Sequence, residues 1–187
     1  MPEKKPTDIL EEEHRVIEKI IHAMTALIKN LEMDNAVALD DLHNIAEFMG
    51  VFGDTCHHGK EEKELFPLLI QKGVPAQGCP IAILTHEHEM GRQLVKGLRD
   101  ATVAYEKKDA SAKAQLVEQL TGLTNLYPDH IWKEEYLLFP MANKILNDSE
   151  QRELQATFEM VGKEIGRDTH AKYEQLAKET DEKFHQK

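Results

Sequence analysis

The sequence predicts an all-α protein: an up-down-up-down four-helix bundle with an additional C-terminal helix. Two observations carry this expectation. Long stretches nearly free of Gly and Pro place apolar residues on alternating steps of three and four, and short polar breaks separate them. Connections this short make neighbouring helices antiparallel. With 41% apolar and 30% charged residues, the 187 residues read as one domain, 1–187, with the bundle over about 8–147 and the extra helix over about 149–185.

The first segment opens at Asp8-x-x-Glu11, read as a capping pair, and runs to about Asp34. Leu10, Ile17, Ile21, Met24, Ile28 and Leu31 form its stripe, and the missing member at position 14 is His14. The second runs from about Ala36 to Ile70, where the loop "QKGVPAQGCP" stops it. The third starts near Pro80, whose fixed φ suits a first helical turn, and His88 interrupts its stripe of Ile81, Leu84, Val95 and Leu98. The fourth carries Leu116, Leu120, Leu123 and Tyr127, then His130 and Glu134, then Leu137 and Met141. The last, with Ser149 as its expected N-cap, presents Leu154, Phe158, Val161, Ile165, Tyr173 and Leu176 as one docked helix.

A net charge of -11 argues against nucleic acid and anionic membranes, which need clustered Lys and Arg. No apolar run approaches the roughly 20 residues that span a bilayer. Two cysteines, Cys56 and Cys79, and the lack of a leader-like N-terminus lead to the expectation of a cytoplasmic protein with reduced thiols. Cys56 reads as a small buried hydrophobe.

An internal repeat points to the chemistry. "HHGKEEKELFP" at 57–67 aligns without gaps with "HIWKEEYLLFP" at 130–140, matching His57 to His130 and Glu61 to Glu134. Upstream, the surroundings of His14 match those of His88. Each half thus contributes a lone His followed by a His-x-x-x-Glu, a spacing that puts both side chains on one helix face. From His14 to Asp34 is 20 residues and from there to His57 is 23, while His88 to Asp109 and Asp109 to His130 are each 21. At roughly 1.5 Å per residue, all four histidines reach about one height. Six polar groups there would each cost several kcal/mol unpaired, and a metal cluster satisfies them. Four nitrogen and two oxygen donors suit two iron ions bridged by the carboxylates, with manganese or a mixed pair also compatible. The absence of thiolates argues against structural zinc. A bundle without metal leaves the repeated motif unexplained.

In order, these motifs resemble the signatures of the hemerythrin-like, or His-His-Glu cation-binding, family over about residues 8–145. The resemblance implies a non-haem di-iron centre with His14, His57, Glu61, His88, His130 and Glu134 as ligands. Oxygen-carrying members place a further histidine four residues before the one matched by His88, and here that position is Leu84. One iron would then lack a protein nitrogen, and its open positions favour chemistry over reversible oxygen binding; His86 would reach it only from the wrong face. The expected function is binding of dioxygen or a related small ligand, such as nitric oxide, for storage, delivery or sensing. The alternatives are a di-iron enzyme acting on peroxide, dioxygen or nitric oxide, and an iron-handling or repair protein.

Other residues are placed by the same pattern. His58, Glu62, Glu64 and Glu135 are expected on a solvated face, with support of the ligands from outside as the alternative for some, and His22, His43, His170 and His185 on the surface. The choice of Glu61 over Glu62 rests on the repeat, because the second helix has a vague apolar stripe. Tyr127, one turn before His130, reads either as a neighbour of the centre or as a buried phenol with its hydroxyl satisfied. Gly50 and Gly53 either open a gas-sized path or allow close helix packing.

Overall fold

The computed structural model describes residues 4–166 and 168–185 and consists of helices, with no strand among the described residues. Helix α1 spans Pro6–Glu32, α2 covers 39–71, α3 spans Ile81–Glu106, α4 covers 112–145, α5 spans Asp148–Ile165 and α6 spans Thr169–His185. Helices α1 to α4 form the bundle, and α5 and α6 pack along it.

Several helix ends differ from the sequence reading. Helix α1 begins at Pro6, with the Lys5 N–H donating to Asp8 Oδ2 at 2.8 Å, so Asp8 sits in the first turn instead of opening it. The fifth segment is capped by Asn147, whose Oδ1 accepts the Ser149 and Glu150 N–H groups while its own N–H donates to Glu150 Oε2. This is a capping box, two residues before the Ser149 expected as cap. The single C-terminal helix is two helices, interrupted at Gly166 with φ +120°. Only glycine adopts that conformation without strain, and an added Cβ would also lie 2.6 Å from Thr169 Oγ1. Gly166→Ala is therefore expected to cost about 1–3 kcal/mol, read as a lower urea midpoint; an unchanged midpoint would refute it.

Helices α2 and α4 are not uniformly α-helical. Met49–His58 and Glu61–Leu65 in α2, and Glu134–Leu138 in α4, are wound as π-helix. The repeated Leu-Phe-Pro explains the last two. Pro67 and Pro140 have no N–H to give, and their rings would clash with the carbonyl four residues back in a tight turn. The turn widens instead, so that the Phe66 N–H bonds Glu61 O and the Phe139 N–H bonds Glu134 O. Each extra residue rotates the following face. In α4 the buried positions after Glu134 become Leu138, Phe139 and Ala142, and the expected Leu137 is exposed. The same winding blurs the stripe of α2.

Two apolar clusters fill the bundle, one containing Ile17, Phe52, Val95 and Ile131, the other Leu10, Leu65, Leu84 and Leu138. On every bundle helix the metal-motif residues lie between a member of one cluster and a member of the other. A polar layer therefore crosses an otherwise apolar core. From the last two helices, Phe158 joins the second cluster and Tyr173 the first. The side chain of Ile165, expected on this face, and that of His185 lie outside the described residues.

Candidate metal centre

All six residues singled out by the repeat are buried in this layer. His14 and His57 face each other with their Nε2 atoms 3.0 Å apart. His88 and His130 lie on the opposite side, and the carboxylates sit between. Glu134 presents Oε2 to His14 Nε2 at 3.0 Å and Oε1 to His130 Nε2 at 3.2 Å and His88 Nε2 at 3.6 Å. Glu61 Oε2 lies 3.8 Å from His57 Nε2 and 3.4 Å from His88 Nε2. Both carboxylates thus span the two histidine pairs. The register of α2 puts Glu61 inward, and Glu62 faces outward.

The other ring nitrogen of each histidine is held by a carboxylate from a neighbouring helix. The Nδ1–H groups of His57, His88, His130 and His14 donate to Glu13, Glu62, Glu87 and Glu135 at 3.1, 2.7, 3.0 and 2.9 Å. The pattern is cyclic: each bundle helix supplies one carboxylate that orients the histidine of the next helix round the bundle. Such pairing sets the tautomer and turns the Nε2 lone pair toward the interior. A lysine accompanies two of these carboxylates, Lys60 at Glu13 and Lys133 at Glu87.

Electrostatics follow from this crowding. Burial opposes charge on His14, but hydrogen bonds to Glu134 and Glu135 outweigh it and raise its pKa to about 9. Burial likewise opposes charge on His88, and the Glu134, Glu61 and Glu62 carboxylates around it raise its pKa to about 11. The Glu134 carboxyl, despite burial, is held well below the usual range by the surrounding imidazoles. Positive charge is therefore strongly favoured among these carboxylates.

The residues fit a bound metal on an independent ground. Buried yet without a hydrogen-bond partner are Nε2 of His88 and His130, both Glu61 carboxylate oxygens and Glu134 Oε1. Such atoms are rare in protein interiors, and these five are imidazole nitrogens and carboxylate oxygens gathered in one place, the donor types that hold a metal. Donor atoms of Glu61, His88, His130 and Glu134 lie within 4.8 Å of one another, as do those of His14, His57 and Glu134.

Comparison with known proteins agrees. The family model for the hemerythrin HHE cation binding domain matches residues 5–142. The chain belongs to this family. Three uncharacterized proteins, one of Mycobacterium bovis and two of Mycobacterium tuberculosis strains, are each 26% identical to this hemerythrin-like chain over 159 residues, 85% of its length. The chain covers 61% of the length of these relatives. No solved structure matches it significantly.

The structure corrects several expectations for the neighbours of the centre. His58 is not on a solvated face: it is buried, stacked on His88 with ring centroids 3.8 Å apart. Glu62 and Glu135 are only partly exposed and orient His88 and His14. His170 is not a plain surface residue, since it is half-buried and its Nε2 lies 3.1 Å from Glu13 Oε1. His22, His43 and His86 are exposed, and Leu84 is buried among apolar side chains. Cys56 is buried as expected, with its Sγ 3.2 Å from Lys60 Nζ. Tyr127 is buried, its ring 6.0 Å from that of His130. Gly50 lines a cavity of about 260 Å³ that also touches His58, Gly91, Arg92 and Tyr127, whereas Gly53 does not line it.

The orienting carboxylates had a signal in the sequence that the repeat analysis passed over. Glu13 and Glu87 each precede the lone histidine of their half, and Glu62 and Glu135 each follow the inward glutamate. Lys60 and Lys133 are also repeat partners. The outer carboxylates therefore obey the same repeat as the inner residues.

Proposed function

We propose that this hemerythrin-like chain is a non-haem di-iron protein that binds dioxygen or a related small ligand. The observation that carries the reading is the set of unpartnered Nε2 and carboxylate atoms inside the ring of orienting carboxylates. His14 and His57 would hold one ion, His88 and His130 the other, and Glu61 and Glu134 would be shared. An iron pair at these residues supplies open coordination positions and two reducing electrons. The chain itself contributes orientation, through Glu13, Glu62, Glu87 and Glu135, and a dry site between two apolar clusters that keeps bulk water away.

A second reading, turnover of peroxide, dioxygen or nitric oxide, is favoured by Tyr127. Its phenol lies on the wall of the cavity and close to His130, where it can give a proton or an electron. Burial holds it neutral well beyond the ordinary tyrosine range.

Metal analysis and oxygen exposure separate the readings. About two iron ions per chain are expected in protein produced with iron, and well under two transition-metal ions would refute the di-metal reading. With iron present, an absorption spectrum that develops in oxygen and reverses under vacuum supports binding. Irreversible oxidation, or steady consumption of peroxide, supports turnover.

A further inference from the structure

Five histidines, not four, meet in the polar layer. His58 comes from α2 directly after His57, and the last residues of its π-helical stretch place both rings inside the bundle. Its repeat partner is Ile131, an ordinary member of the apolar core. The scaffold therefore does not require a histidine at this position, and its presence makes the two halves unequal.

Like the other four, His58 has a carboxylate at its Nδ1, here from its own helix. Its Nδ1 lies 3.3 Å from Asp54 Oδ1, and Asp54 is in turn held by the Arg92 Nε–H at 2.8 Å. Its Nε2 is buried and has no hydrogen-bond partner. A ring nitrogen of His58, with donor atoms of His88 and His130, belongs to one group within 4.8 Å. A histidine serving only as a core residue would have both nitrogens satisfied, or an apolar residue in its place. A proton on Nδ1 facing Asp54 leaves the Nε2 lone pair free to donate.

We propose that His58 is a fifth nitrogen ligand of the centre, its ring turning out of the stack on His88 when metal binds so that it joins His88 and His130 on one ion. The role rests on the di-metal reading above. It makes the two ions inequivalent, with three imidazoles on one side and two on the other, and directs an incoming ligand toward the less crowded His14–His57 side. It also supplies from α2 the nitrogen that Leu84 withholds from α3.

Anaerobic titration with ferrous iron tests this in the wild type and in His58→Phe, which keeps an aromatic ring against His88 and removes the donor. The wild type is expected to take up two ions. The variant should bind one of them as the wild type does and the other at least about tenfold more weakly, since losing even an outer partner of a ligand costs roughly 10–100-fold. Two ions bound with unchanged affinity in a folded variant would overturn the role of His58 and leave the di-metal reading standing. A wild type that binds no iron would overturn both. Should the variant fail to fold, zinc-loaded wild-type protein with ¹⁵N-labelled histidine gives an independent answer: five imidazoles with metal-shifted Nε2 signals support the assignment, and four refute it.

Discussion

Glu134→Ala is expected to lower the metal content of the purified chain from about two ions to well under one. Glu134 is the residue whose two oxygens face opposite sides of the layer, Oε2 toward His14 and Oε1 toward His88 and His130. Its loss would take a donor from both of the proposed ions at once. Glu135→Ala serves as a graded comparison, because Glu135 meets the centre at the outer nitrogen of His14 and is otherwise bound by Arg15. Weakening by roughly 10–100-fold, without loss of the second ion, is expected there. Helicity should survive in both variants, since the imidazoles left without carboxylates can shed their protons and become neutral. The measurement is metal analysis alongside circular dichroism. A Glu134→Ala chain that keeps two ions would remove Glu134 from the centre.

Glu13→Ala is expected to destabilise the metal-free chain by about 3–5 kcal/mol, the usual cost of leaving a buried charge without its partner. For a chain of this size that lowers the melting temperature by roughly 6–20 °C. Lys60 is almost wholly buried, and among the described residues its side chain bonds Glu13 and Cys56. Burial opposes its charge, but Glu13 keeps its pKa above the usual lysine value, so the ammonium is cationic. Burial also opposes charge on Glu13, and hydrogen bonds from His170 and His57, with the charge of Lys60, hold its carboxyl well below the usual range. The contrast with Glu134 is chemical: imidazoles titrate near neutrality, whereas an ammonium gives up its proton only at considerable cost. Replacing both partners, Glu13→Gln with Lys60→Met, should recover most of the lost stability. Thermal unfolding of the single and double variants checks this, and a double variant no more stable than Glu13→Ala would show that the ion pair is not the cause.

The link from Glu13 to His170 gives α6 a contact with the centre. Helix α6 reaches the carboxylate that orients His57, and Tyr173 donates from the same helix to Glu47 Oε1 at 2.8 Å. The C-terminal segment is therefore part of the wall behind one pair of histidines as well as a cover for the apolar core.

Local periodicity made the bundle and its inner residues legible. The apolar stripes of α1, α3 and α4 depend on a helical repeat that each segment sets by itself, so the interruptions at His14, His88 and His130 could be read directly. For α2 the stripe was blurred by π-helical winding, and the internal repeat supplied the register that puts Glu61 inward. What lay beyond local pattern was the pairing across helices. Glu13, Glu62, Glu87 and Glu135 each orient a histidine on a different helix, and a run such as "KEEK" looks the same whether its outer glutamate meets water or an imidazole.

The chain's own pattern determined the helices, their antiparallel order and the one level at which histidines and glutamates gather, because side-chain direction along a helix follows from spacing alone. Tertiary structure decided that His58 turns inward and which carboxylate holds which histidine. Those outcomes depend on how widened turns rotate one helix against its neighbours and on which charges burial forces into contact, and neither is encoded within a single segment.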